Sequence, residues 1–148
     1  MVRRLCLALA LAACSKADPP KPEDRHEPTT APAKLALEIS IGDAKSTWTD
    51  AAFTATPKLA GTASDGEARD TWSLRELVHH NVGPAARAVA VVSAGGRVAI
   101  EPAAWDDAAR TPILHTTRRG TLKFRWADKD GKWGETVLKD VTSLEIVR

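Results

Sequence analysis

Ser73-Leu74-Arg75-Glu76-Leu77-Val78-His79-His80 is the clearest helical stretch of this chain, and strand-like segments stand on both sides of it. Ser73 and Glu76 have the spacing of a capping box, in which each side chain accepts from the other residue's free backbone N–H. Leu74, Leu77 and Val78 fall on one helical face, which predicts that this face is core. Asn81-Val82-Gly83-Pro84 then ends the helix, because glycine suits the left-handed turn after a helix and proline cannot continue one.

Working outward, Leu35 to Ile41 alternates cleanly, with Leu35, Leu37, Ile39 and Ile41 on one face of a half-buried strand that Gly42 ends. Trp48 to Phe53 predicts a short helical turn with Thr49 as N-cap. Lys58 to Thr62 predicts a brief strand, and Ala63 to Glu67 has turn chemistry. Arg87 to Ser93 is β-branched and almost continuously apolar, which predicts a central strand covered on both faces. Gly95-Gly96 suits a tight hairpin, with Arg97 to Glu101 returning. Trp105 to Ala109 predicts a helical turn, and Pro112 to His115 a short strand. In Thr121 to Trp126, the residues Leu122, Phe124 and Trp126 share a face. Asp128-Lys129-Asp130-Gly131 is a turn, and Trp133 to Lys139 returns. A three-residue loop with Gly131 left-handed pairs Asp128 with Lys132, Arg125 with Glu135 and Leu122 with Leu138. The two-residue alternative opposes Lys129 to Lys132, and facing like charges are unfavourable. Asp140 breaks the run, and Val141 to Val147 closes the domain as a strand. Strands before and after one good helix predict an α+β domain with a mainly antiparallel sheet and short helical turns.

The amino-terminal third has another character. Arg3 and Arg4 precede the apolar run Leu5 to Leu11, which is too short to span a bilayer, since that takes roughly 20 apolar residues. A basic start, a short apolar core and small residues make a secretory signal peptide. Leu11-Ala12-Ala13-Cys14 closely resembles the lipobox of bacterial lipoproteins. That resemblance implies removal of residues 1–13, a diacylglycerol on the Cys14 sulfur and an acyl chain on its new amino group. Ser15 after the cysteine implies the periplasmic face of the outer membrane in an envelope of Gram-negative type. The Arg3-Arg4 pair invites a twin-arginine export signal, but Val2 and Leu5-Cys6 do not complete that motif. Residues 14–34 carry Pro19, Pro20, Pro22, Pro28 and Pro32 among charged and small residues, a composition that predicts a disordered linker. Residues 35–148 remain for a single α+β domain, about the commonest domain size.

The formal charge of the 148-residue chain is +2, and loss of Arg3 and Arg4 brings it to zero, which argues against a nucleic-acid binder built on a net basic field. Of the 2 cysteines, Cys6 leaves with the signal peptide and Cys14 is taken by lipid. The domain then has no disulfide framework, thiolate metal site or cysteine nucleophile.

A second resemblance covers most of Thr47 to Val147. It rests on Ser73-Leu74-Arg75-Glu76-Leu77, Pro112-Ile113-Leu114, Gly120 with Lys123-Phe124, and Val141-Thr142-Ser143-Leu144-Glu145-Ile146, taken in that order among the strands. This arrangement is similar to the oxidoreductase molybdopterin-binding domain of the sulfite oxidase superfamily, and it implies that scaffold and a pterin site. Members carrying molybdenum bind it through a cysteine, which this domain lacks, so the redox chemistry is expected to be absent.

Among candidate sites, His79 and His80 are adjacent on a helix and point about 100° apart, which suits two favourable charges near a helix C-terminus better than one metal ion. Trp105-Asp106-Asp107 brings carboxylates but no partner acid or base, and reads as a surface helical turn. Ser73 has no nucleophile-elbow context, and its cap role explains it. His115-Thr116-Thr117-Arg118-Arg119-Gly120 is the strongest candidate. Arg118 and Arg119 can bind a phosphate or carboxylate by bidentate hydrogen bonds, with His115 nearby, just before the Gly-x-x-Lys stretch where the resembled family approaches its cofactor. Of the 5 tryptophans, Trp72 and Trp126 are expected in the core, while Trp48, Trp105 and Trp133 are expected to be partly buried, with a groove rim as the alternative. The expectation is an envelope lipoprotein, tied to the membrane by its anchor, whose domain binds a small anionic ligand or an envelope protein without catalysis, metal or cofactor. A molybdopterin-dependent periplasmic oxidoreductase and a structural envelope protein are the alternatives.

Overall fold

The structure, a computed structural model, describes residues 34–60, 66 and 68–148. The signal peptide, Cys14 with nearly all of the linker, and most of the turn at residues 63–67 lie outside the described residues. Nine strands and three short helices occur among the described residues, in two sheets. One sheet has the order β2 (Ala44–Thr49), β1 (Ala36–Ile41), β9 (Val141–Val147), β4 (Arg87–Ser93), β5 (Gly96–Ala99), the other β3 (Thr71–Ser73), β6 (Arg110–Thr116), β7 (Leu122–Asp128), β8 (Trp133–Leu138). All pairings are antiparallel except β1 with β9, so the architecture is a mainly antiparallel α+β fold.

The first sheet begins with β1 (Ala36–Ile41), whose Leu37 and Ile39 are fully buried as the alternation predicts. It turns at Gly42-Asp43 into β2 (Ala44–Thr49), with Ile41 opposite Ala44. Gly42 has φ +58°, the first position of a two-residue hairpin loop where glycine carries no steric cost. Trp48 on β2 lies opposite Leu37 and is buried with it, so it belongs to the core and does not rim a groove. The helical turn α1 follows at Asp50–Ala55, preceded by Thr49, which makes no side-chain cap bond. Residues 57–60 form no strand; Leu59 only donates its N–H to the Thr71 carbonyl at 2.8 Å.

Next come β3 (Thr71–Ser73) and α2 (Leu74–Asn81). Ser73 Oγ accepts from the Glu76 N–H at 3.4 Å, and Leu74, Leu77 and Val78 are fully buried. Gly83 takes φ +138° just beyond the helix end. Strand β4 (Arg87–Ser93) pairs with β5 (Gly96–Ala99), but Ser93 faces Gly96, so the two-residue turn is Ala94-Gly95 and not the expected Gly95-Gly96. It is not the doubly covered centre of its sheet, however: Val89 and Val92 are half-exposed, and β9 (Val141–Val147) holds the middle position. Two register irregularities against β9 let β4 bury Ala88, Ala90, Val91 and Ser93 in turn, so its apolar run follows a bulged backbone. The helix α3 spans Pro102–Trp105, earlier than expected at Trp105–Ala109, because proline's fixed φ favours the first helical position. Trp105 is buried at its end, again core and not rim.

Strands β6 (Arg110–Thr116), β7 (Leu122–Asp128) and β8 (Trp133–Leu138) form the rest of the second sheet. The β7–β8 turn is the three-residue loop expected: Asp128 N–H donates to Lys132 O at 2.9 Å and Gly131 sits at φ +79°. Beyond it the register departs from expectation. Arg125 faces Thr136, not Glu135, and Phe124 faces Leu138 in place of Leu122. Two irregularities absorb the extra residues of β8, near Gly134, where an added Cβ would lie 3.1 Å from the Trp126 carbonyl. Trp126 is only half-buried, with the Arg110 guanidinium 4.6 Å over its ring, so it borders the core. Leu114, Leu122 and Phe124 join Leu37, Leu144 and α2 in one cluster between the sheets.

A basic pocket at the β6–β7 hairpin

The two hairpin turns of the second sheet are built alike. In Thr117-Arg118-Arg119-Gly120-Thr121, the Thr117 N–H donates to Thr121 O at 2.8 Å, Gly120 N–H donates to Thr117 O at 3.0 Å, and Gly120 has φ +77°. The Thr117 hydroxyl accepts from the Arg119 and Thr121 N–H groups, each at 3.2 Å, as Asp128 Oδ1 does from Asp130 and Lys132 in the other turn. Arg118 and Arg119 thus occupy the two corners of a closed turn and stand exposed at its tip.

Below this tip lies a cavity of about 500 Å³. Arg69, Arg118, Arg119, Lys123, Arg125 and Lys139 line it, against the single carboxylate of Asp140. Hydroxyl-bearing Thr116, Thr117 and Thr121 complete the polar wall. No carboxylate among the described residues pairs with the side chain of Arg119, Lys123 or Lys139. Like charges gathered on one concave wall focus the field and raise the local concentration of anions.

His115 belongs to this site but not as a free ligand. It is 3 % exposed and faces Lys123 across β6 and β7. Arg125 Nε–H donates to His115 Nε2 at 3.1 Å, so that nitrogen must be the acceptor and the proton sits on Nδ1, which donates to Thr116 O at 3.0 Å. The imidazole lies against Trp133, centroids 4.6 Å apart. Arg125 also donates from Nη1 to Gly134 O at 2.9 Å, at the bulge. His115 therefore positions Arg125, while Trp133 backs the imidazole.

Burial holds His115 below the ordinary histidine value of 6.5, and Arg125, Lys123 and Arg69 push the same way, against the Thr116 hydrogen bond that raises it. The folded chain thus resists a proton that the unfolded chain accepts below that value, so its contribution to stability is complete above pH 6.5 and is lost on acidification. We expect the urea midpoint to fall as pH drops below 6.5, and to fall less in His115→Gln, whose amide can accept from Arg125 and donate to Thr116. Equal acid sensitivity in the two proteins would assign the loss to other groups.

The remaining candidates are separate. His79 is half-buried with Trp105 edge-on at 6.2 Å, and His80 is exposed. Asp107 caps its own turn, accepting from Ala109 N–H at 2.8 Å and Arg110 Nε at 3.1 Å. Arg75 Nη2 clamps the Asp107 and Arg110 carbonyls at 2.8 and 2.9 Å. Among the described residues no cluster of three His, Cys, Asp or Glu could hold a metal ion, and no helix is long and apolar enough to cross a membrane.

Arg69, Lys123, Arg125 and Lys139 were not legible as site residues from the Arg-Arg stretch alone. The signal for two of them lay in the alternation of β7: with Leu122 and Phe124 in the core, Lys123 and Arg125 must share the opposite face. No family model, curated protein or solved structure matches the chain.

Proposed function

We propose that this chain is a lipid-anchored envelope protein, on the periplasmic face of the outer membrane, whose domain binds a phosphate- or carboxylate-bearing anion without transforming it. The observation that carries the reading is the convergence of six cationic side chains on a cavity with one carboxylate. The pocket suits binding better than catalysis, because both nitrogens of His115 are engaged and the Thr117 and Thr121 hydroxyls bond each other at 2.8 Å. The sequence resemblance to the molybdopterin-binding domain points to the same place, since Gly120 of that motif closes the hairpin turn and Lys123 lines the pocket.

A molybdopterin redox enzyme is the second reading, and the donor set speaks against it. Cations and threonines fit the phosphate of a pterin, but the family's molybdenum ligand is a thiolate. The chain's 2 cysteines, Cys6 and Cys14, both precede the domain. Stoichiometric molybdenum in protein purified from its native envelope would reverse that judgement.

Pyrophosphate titrated into the full chain in neutral-detergent micelles, followed by calorimetry, tests binding. Arg119→Ala with Lys139→Ala should weaken it by about tenfold or more, since each charge-assisted hydrogen bond contributes about 1.5–3 kcal/mol. Both side chains are exposed, so the unfolding free energy should change by about 1 kcal/mol or less. Absence of binding by the wild type would sink the anion reading.

A further inference from the structure

The parallel pairing of β1 with β9 fixes where the chain enters the domain relative to the basic pocket. Glu38 lies opposite Ser143 and Ile41 opposite Ile146, so the start of β1 runs beside the start of β9. The residues just before β9 are Lys139 and Asp140 of the pocket wall. A hollow of about 300 Å³ joins the two places, lined by Lys34, Leu35, Arg119, Thr121, Leu122 and Val141 among others. The cationic pocket and the point of chain entry therefore occupy one end of the fold. The turns at Gly42-Asp43 and Asp128–Gly131 lie at the other.

We infer that the anion this pocket takes is the phosphate headgroup of an anionic lipid in the membrane that anchors the chain, so that the domain docks with its basic end on the bilayer. The inference rests on the anchored, anion-binding reading above. Three observations favour a lipid surface over a soluble ligand. The chain from Cys14 to Lys34 spans at most about 70 Å in any conformation and ends beside the pocket, so the anchor keeps the pocket end within reach of the membrane. The charge of the wall is complementary to an anionic leaflet, where each nearby basic residue adds about fivefold to partitioning. The adjoining hollow brings the half-buried Leu35 next to Arg119, a small apolar margin beside a cationic one, as a headgroup with its glycerol backbone would meet.

The lipidated full chain in phosphatidylcholine vesicles, with or without phosphatidylglycerol, tests this through acetylation of lysine amines read by mass spectrometry. Lys123 and Lys139 should react several-fold more slowly when phosphatidylglycerol is present. Lys45 and Lys129, at the opposite end, should be unchanged. Equal rates in both vesicles, or slowing that includes Lys45 and Lys129 equally, would overturn headgroup docking. The same chain in neutral-detergent micelles with inorganic phosphate separates the two sources of phosphate. Protection by inorganic phosphate alone overturns the lipid inference and leaves the anion-binding reading standing, whereas no protection in either setting overturns both. A chain that does not float with either vesicle overturns the anchor, and this inference with it.

Discussion

Trp72→Ala is expected to destabilise the fold by about 3–5 kcal/mol, the range for emptying a buried aromatic site. Trp72 is 2 % exposed and faces Leu114 across β3 and β6. Its ring lies 4.9 Å from that of Phe53, and its indole N–H donates to Phe53 O at 2.9 Å. That single side chain ties α1 to the short strand that launches α2. Trp72→Phe separates the contributions: it keeps most of the apolar area but leaves the Phe53 carbonyl without its donor, a loss of about 1–3 kcal/mol for a buried group. Chemical denaturation of both variants checks the ranking. Near-equal stability of Trp72→Ala and wild type would mean that β3 is not packed as described.

The elements that were legible in the sequence share one property: local residues fix them. The capped helix at Ser73, the alternation of Leu37 with Ile39, and the Asp128–Gly131 loop each satisfy rules that operate within a few positions. Strand β2 shows the limit. Ala44–Thr49 buries only Trp48, so it has no alternation to read, and the ladder to β1 holds it in place. Its one local signal was the Gly42-Asp43 pair, a two-residue hairpin loop. The parallel neighbour of β1 lies about a hundred residues away along the chain, beyond any periodicity.

The site divides in the same way. Arg118-Arg119-Gly120 advertised a basic turn, because the residue types and the glycine are contiguous. The role of His115 was not readable, since a lone histidine on a strand does not reveal that an arginine on the neighbouring strand, two residues beyond its partner Lys123, donates to it. Lys139 required both β9's place in one sheet and β8's place in the other, and Arg69 required the pairing of β3 with β6. A pocket assembled from three separate stretches of sequence, at Arg69, at the β6–β7 hairpin and at Lys139-Asp140, appears only after folding, which is why a formal charge of only +2 over the whole chain coexists with a strongly cationic hollow.

Cys14→Ser is expected to abolish the lipid anchor. Each long acyl chain contributes on the order of 10 kcal/mol of transfer free energy, at about 0.8 kcal/mol per methylene, and two already anchor a protein stably. Serine offers no sulfur for the diacylglycerol thioether, so the variant should persist as an uncleaved precursor, or be released as a soluble protein if another peptidase cuts. Detergent phase partitioning reads the difference: wild type enters the detergent phase, while a cleaved Cys14→Ser protein stays in the aqueous phase. Mass spectrometry of the wild-type amino terminus should find Cys14 first and acylated. Wild type in the aqueous phase with an unmodified Cys14 would remove the anchor from the proposal. The basic pocket would then stand on its geometry alone, because its residues, from Arg69 to Asp140, all lie within the folded domain and owe nothing to the leader.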